Sequence, residues 1–211
     1  MIGRLARVQR FEEPLETLFP FFAEARNLEG ITPPWLRFRI VSVPAGPISA
    51  GALLRYRLRW RGIPFSWTTE IASWDPPNRF VDRQIQGPYR LWEHEHRFIT
   101  RPDGLVEMID RVWYRAPLAP LTHPLVVRAD VERIFDYRSE RLAQLFRTAN
   151  MSSRRGCKVC GEEPEHGRLA TCELCRARLC PQHVLRKAGK SFCDKRCADE
   201  FFFGEPEEEP D

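Results

Sequence analysis

The sequence predicts an α+β fold: a run of antiparallel strands closed by a long helix, followed by a small cysteine-rich unit that needs metal to fold. Three observations predict it. Between residues 36 and 115, apolar and polar side chains alternate in six stretches separated by turn-forming residues. Residues 125–148 then carry Val126, Val127, Ile134, Phe135, Leu142, Leu145 and Phe146 at helical spacing. Finally, all seven cysteines lie between Cys157 and Cys197, and the first lysine is Lys158, so the chain changes composition there.

Taken in order, residues 5–11 read as a short, edge-like strand. Pro14 opens a helix, because a residue in the first turn has no intrahelical use for an N–H. Leu15, Leu18, Phe19 and Phe22 mark its apolar face. Residues 27–31 form a short turn or second helix, ended by Thr32-Pro33-Pro34. Strands are expected at 36–43, 52–61, 65–74, 80–86, 89–100 and 105–115. The breaks between them are Pro44 to Pro47, Gly62, Pro76-Pro77-Asn78, Gly87-Pro88 and Pro102-Asp103-Gly104. These elements make one domain over 1–149. A polar connector at 150–156 leads to a cysteine-rich module at 157–203 and an acidic tail at 204–211, expected to be disordered. Phe201, Phe202 and Phe203 are expected to pack back on the module or on the larger domain.

Strand parity indicates which side chains face inward, because alternate residues share a face. In 52–61, Leu54, Tyr56, Leu58 and Trp60 oppose Arg55, Arg57, Arg59 and Arg61, so the arginines belong in water. In 65–74 the inward set is Phe65, Trp67, Thr69 and Ile71, with Glu70 outside beside an arginine. Trp92, His94, His96 and Phe98 share a face opposite Glu93, Glu95 and Arg97; Met108, Asp110, Val112 and Tyr114 share another. Trp35 and Phe38 read as core. The inward set is apolar with a few polar groups, which is what a small-molecule pocket requires. Tyr56, Trp67, Trp92, His94, His96, Asp110 and Tyr114 are the candidate ligand contacts. His94, His96 and Asp110 also suit acid–base chemistry, since a carboxylate can orient an imidazole. The same three residues fit a satisfied buried polar cluster, and that plainer reading outweighs the chemical one.

The order of elements, strand, two helices, six strands and a long helix, is that of the helix-grip fold. The chain resembles the SRPBCC (START-like) superfamily, and within it the bacterial ligand-binding branch described as cyclase/dehydrase-like. The segments that carry the resemblance are Asn27-Leu28, Ile31 to Phe38, Gly62 to Trp67, and Pro76-Pro77 to Asp82. Gly87 to Trp92 with His94 and His96, and Asp110-Arg111-Val112 with Tyr114, complete them. The resemblance implies a sheet curled around the last helix, with a cavity between them for a small hydrophobic or amphipathic ligand. It also implies an alternative, a cyclase or dehydratase using the His/Asp pair.

The cysteines fall into pairs with metal-ligand spacing: Cys157-x2-Cys160, Cys172-x2-Cys175, Cys180-x2-His183 and Cys193-x3-Cys197. Such gaps aim two side chains at one ion, and eight ligands make two closed tetrahedral zinc sites of the structural kind. An odd cysteine count and the lack of a secretory signal argue against disulfides. His183 is the preferred eighth ligand, with His166 as the alternative. A module this small must draw its folding energy from the metal. The four pairs resemble the cross-brace zinc fingers of the B-box, RING and treble-clef kind. That resemblance implies one site of Cys157, Cys160, Cys180 and His183, another of Cys172, Cys175, Cys193 and Cys197, and a protein partner.

Net charge by itself says little about partners. The net charge of +4 is spread out, and metal-bound thiolates bring the cysteine-rich module close to neutral, so no basic stripe for nucleic acid is expected. No segment approaches the roughly 20 apolar residues of a membrane span, and MIGRLARVQRF has no signal-peptide core. A cytoplasmic location is therefore expected, where clustered cysteines stay reduced.

Overall fold

A computed structural model of the chain describes residues 2–116, 124–148, 156–160 and 169–203. Strand β1 (Gly3–Phe11) leads into helices α1 (Leu15–Ala23) and α2 (Asn27–Ile31) and a 3-10 turn at Pro34–Leu36. Six further strands follow: β2 (Arg39–Ser42), β3 (Leu53–Trp60), β4 (Ile63–Asp75), β5 (Arg79–Gln86), β6 (Leu91–Thr100) and β7 (Val106–Arg115). They form one sheet, ordered β1-β7-β6-β5-β4-β3-β2, with antiparallel neighbours throughout. Helix α3 (Pro124–Leu145) closes it. This is the helix-grip arrangement.

Most boundaries shift by one to three residues from the sequence reading, and two of the shifts have clear local reasons. The strand expected from residue 36 begins at Arg39, because Pro34–Leu36 make a turn and Arg37 takes a left-handed φ of 43°. Conversely, β4 starts two residues early. Arg61 and Gly62, at φ 49° and 86°, form the two-residue turn that sets Trp60 opposite Ile63.

Helix α3 lies against the inner face of the sheet. Its Val127, Val131 and Phe135 pack on Leu5, Val112 and Tyr114, while Leu142 joins Phe11, Val106 and the α1 residues Leu15, Leu18 and Phe19. The β3 arginines Arg55, Arg57 and Arg59 are exposed opposite buried Leu54 and Tyr56, as parity requires. Glu70 points outward and pairs with Arg83 at 3.3 Å. Trp35 is not core. It is half-exposed, edge-on to Tyr137 and under the guanidinium of Arg133, because the 3-10 turn swings it onto the α3 surface.

The C-terminal unit consists of two small hairpins, β8 (Ala170–Thr171) with β9 (Arg178–Leu179) and β10 (Leu185–Lys187) with β11 (Lys190–Phe192), and then α4 (Lys195–Phe203). It does not stand apart. Ala6 and Val8 of β1 and Ile109 of β7, on the outer face of the sheet, share one core with Leu174, Leu179, Phe192 and Ala198. The edge of β1 is covered too, since the Val8 N–H donates to the Leu174 carbonyl at 3.3 Å. Charges cross the same boundary. Arg111 bonds Glu95 at 2.7 Å and also Glu200, and Glu107 accepts from Arg10 at 2.9 Å, from Arg196 at 3.1 Å and from Arg101. Glu95 and Glu107, outward positions by alternation, are thereby almost fully buried.

Phe201 and Phe202 pack on Phe192, whereas Phe203 is largely exposed. Residues 150–155 of the connector, the loop bearing His166 and the acidic tail at 204–211 lie outside the described residues. Among the described residues, no helix is long and apolar enough to cross a membrane.

Candidate functional site

A cavity of about 220 Å³ lies between the sheet and the helices. Its wall is mostly apolar, built from Leu54, Leu58, Phe65, Ile71 and Trp74 on the sheet and from Leu28, Ile31, Val127 and Ile134 on the helices. Of the residues singled out in the sequence, Tyr56, Trp67, Trp92, His94 and His96 line it, and Phe38 joins them. Trp67 and Trp92 meet edge to face at 5.3 Å. Tyr114 packs against Tyr89 and Trp92. Asp110 stands behind the two histidine rings.

A polar cluster beside the cavity is assembled across three neighbouring strands. Register places Asp82 of β5 opposite His94 of β6, and His96 of β6 opposite Asp110 of β7. Parity turns all four side chains to the same face. His94 Nε2 lies 3.1 Å and His96 Nδ1 2.8 Å from Asp110 Oδ1. The other nitrogen of each ring, His94 Nδ1 and His96 Nε2, is 3.4 Å from Asp82 Oδ2. The rings are tilted at 3.8 Å, with Phe80 stacked on His96 at 4.2 Å.

Burial and charge pull the two histidines apart. Burial, aided by its neighbour His96, holds His94 below the usual histidine range. Burial also opposes a charge on His96, but the carboxylates of Asp110 and Asp82 outweigh it and raise that ring. Both carboxylates sit below the ordinary range despite burial, because the histidines favour their charged forms. Burial pushes the Tyr56 phenol well up, so it stays protonated through neutral pH. The cluster can hold and pass a proton, bind a polar group on an otherwise apolar ligand, or take a metal ion.

Among the polar residues of the wall, Asp82 and Arg138 are not candidates in the sequence reading. Asp82 had a signal: two residues after buried Phe80, it shares that side chain's face. Arg138 had none, because a lone arginine on a helix with acids and arginines all around looks like solvated surface. Its Nε has no hydrogen-bond partner among the described residues, and its guanidinium lies over Phe135 at 5.1 Å.

On the outer side, the cysteines gather into two groups. Cys157, Cys160, Cys180 and His183 form one; Cys172, Cys175, Cys193 and Cys197 form the other. Within each, the four ligand atoms lie within 4.8 Å of one another. Sulfur–sulfur separations are 3.9 Å for Cys160–Cys180, 3.6 Å for Cys175–Cys193 and 3.3 Å for Cys193–Cys197. Disulfide sulfurs would be about 2.05 Å apart, whereas ligands at about 2.3 Å from a tetrahedral ion stand about 3.8 Å apart. Either group could hold a metal ion.

Local backbone explains the grouping. Arg176 follows Cys175 in a left-handed conformation (φ 60°), and its N–H returns to the Cys172 carbonyl, so both sulfurs of the knuckle point one way. Asp194 caps the N–H of Cys197 at 2.6 Å and starts α4. Burial pushes the Cys157 thiol up, but the backbone N–H groups of Cys180, Cys160 and Val159 overcome this and hold it at about 6, favouring the thiolate. Lys158 Nζ, 3.7 Å from Cys193 Sγ, sets a cation beside the four-cysteine group.

No protein-family model matches the chain, and no curated protein matches it. Solved structures do resemble it. The Zhui aromatase/cyclase from Streptomyces sp. R1128 aligns with a TM-score of 0.52 and 15% identity, over 68% of this chain and 90% of that one. Protein Ms6760 from Mycobacterium smegmatis aligns at 0.50 and 17% identity, covering 67% of this chain and 89% of its own. Ara h 8.0201 aligns at 0.50 with 15% identity, over 69% and 97%. At such identities the likeness is one of fold, and it covers about two thirds of the chain.

Proposed function

We propose that the helix-grip domain, residues 1–149, binds a small hydrophobic or amphipathic molecule in its cavity. Two zinc ions hold the module at 157–203 on the outer face of the sheet, where it serves as a protein-interaction surface. The observation that carries the reading is the cavity itself: an apolar, aromatic-lined space of about 220 Å³ whose wall carries a few polar groups, Asp82, His94 and His96 among them. A filled core would offer no such room, and a polar cleft would not select an apolar ligand. Asp82, His94, His96 and Arg138 would meet the ligand's polar end.

The donor sets support zinc for the two cysteine groups, since three thiolates with an imidazole, or four thiolates, are its usual closed structural sites. One site takes Cys157, Cys160, Cys180 and His183, the other Cys172, Cys175, Cys193 and Cys197. The ions supply folding energy and a fixed surface rather than catalysis. Clustered metal-binding cysteines fit a cytoplasmic protein, since thiols stay reduced there.

Native mass spectrometry of the purified full chain tests the cavity reading. An apolar small molecule retained by the protein, and displaced when Ile134→Trp fills the cavity, is the expected result. A wild-type protein that carries no such mass, and also fails to take up an added apolar fluorescent probe, overturns it.

A further inference from the structure

We propose that Asp82, His94 and His96 form a third metal site, for a divalent first-row transition ion, in the wall of the cavity. One nitrogen from each ring lies beside the same oxygen of Asp82. The three ligand atoms lie within 4.8 Å of one another, and Asp82 Oδ2 is 3.4 Å from both nitrogens. Ligands at about 2.1 Å from an ion at near-tetrahedral angles stand about 3.4 Å apart. The same distance is long for a hydrogen bond, so contacts between these groups satisfy them poorly without an ion.

The groups behind the rings strengthen the case. A metal-binding histidine nearly always gives its other ring N–H to a carboxylate or carbonyl, which fixes the tautomer and aims the free nitrogen at the ion. Here Asp110 Oδ1 hydrogen-bonds His94 Nε2 at 3.1 Å, and His96 Nδ1 lies 2.8 Å from the same oxygen, at ion-pair distance though not in hydrogen-bond geometry. Phe80 stacked on His96, and Phe135 edge-on to His94 at 5.2 Å, hold the ring planes. Asp82, His94 and His96 line the cavity, so coordination positions not filled by protein would open toward a bound molecule. Two imidazoles and a carboxylate with open positions suit iron(II) and its neighbours, and the set contains no sulfur. The three ligands lie on adjacent β5 and β6, held by the sheet itself. The site is thus independent of the cysteine groups on the opposite face and of whether a ligand occupies the cavity.

Cobalt(II) is the probe that separates the sites. The full chain, loaded with zinc at its cysteine groups, is titrated with cobalt(II), which does not displace zinc from thiolates at equilibrium. One further equivalent of cobalt per chain is expected, without the thiolate-to-cobalt charge-transfer absorption that entry into a cysteine group would produce. Asp82→Asn and His94→Gln should each abolish that equivalent while two zinc ions and the native tryptophan emission are retained. Asp110→Asn should weaken it by roughly 10–100-fold, as removal of an outer partner does. If His94→Gln fails to fold, Asp82→Asn, whose side chain is part-exposed, gives the answer alone. No additional cobalt in the wild type, or cobalt binding unchanged in Asp82→Asn, overturns the proposal.

Discussion

Stripping metal from the cysteine groups is expected to weaken the helix-grip domain, although none of the residues in those groups belongs to it. The reason is the shared core. Val8 and Ile109, on the outer face of β1 and β7, are 8% and 2% exposed because Leu174, Leu179 and Phe192 cover them. If the C-terminal unit unfolds without its ions, those two side chains return to water. Burying one valine or isoleucine fully contributes about 1.5–3 kcal/mol, so the pair loses roughly 3–6 kcal/mol. In a domain of this size 1 kcal/mol moves the midpoint by about 2–4 °C, which makes the expected fall in Tm roughly 6–24 °C. The assay is tryptophan fluorescence during heating, with and without a strong chelator, and elemental analysis to verify metal loss. All six tryptophans lie between Trp35 and Trp113, so the signal reports the helix-grip domain alone. A midpoint that moves by less than about 2 °C in metal-free protein would refute the shared core, and with it the claim that the two units fold as one.

Two further perturbations probe the packing. Phe98 is 2% exposed and touches the rings of Phe19 and Phe22, so Phe98→Ala should cost about 3–5 kcal/mol, read as a lower urea midpoint with an unchanged slope. Glu107 gives a pH test. Burial works against its charge, but Arg101, Arg10 and Arg196 hold its carboxyl below the ordinary value of 4.5. A group depressed on folding adds stability that is complete above its unfolded value and fades as pH falls through the folded one. Urea midpoints measured from pH 6 downward should therefore fall more steeply below about 4.5 in wild type than in Glu107→Gln; parallel curves would show that the arginines do not hold the carboxylate.

The sheet and its closing helix were legible because each carries its own periodicity. In β3 alone, arginines at every second position expose one face, and Leu54 and Tyr56 declare the other. The histidines of the cavity were found the same way, from alternation with Trp92 and Phe98. Asp82 was accessible to the same reasoning, through Phe80 two residues before it. The cavity role of Arg138 was not, because nothing local distinguishes an arginine that faces a cavity from one that faces water.

The strand faces, the helix-grip order and the four Cys/His pairs can be read from the residues alone, since they depend on neighbours a few residues apart. Tertiary structure alone decided that the cysteine-rich unit lies on the sheet rather than beside it. Glu95, Glu107 and Arg111 alternate as solvent-facing residues do, and α4, contributing Glu200 and Arg196 from 89 residues away, helps to take Arg111 and Glu107 out of water. Tertiary structure also set which nitrogen of each histidine faces Asp110 and which faces Asp82. That choice rests on strand register and ring rotation, and neither is written in the spacing of the residues.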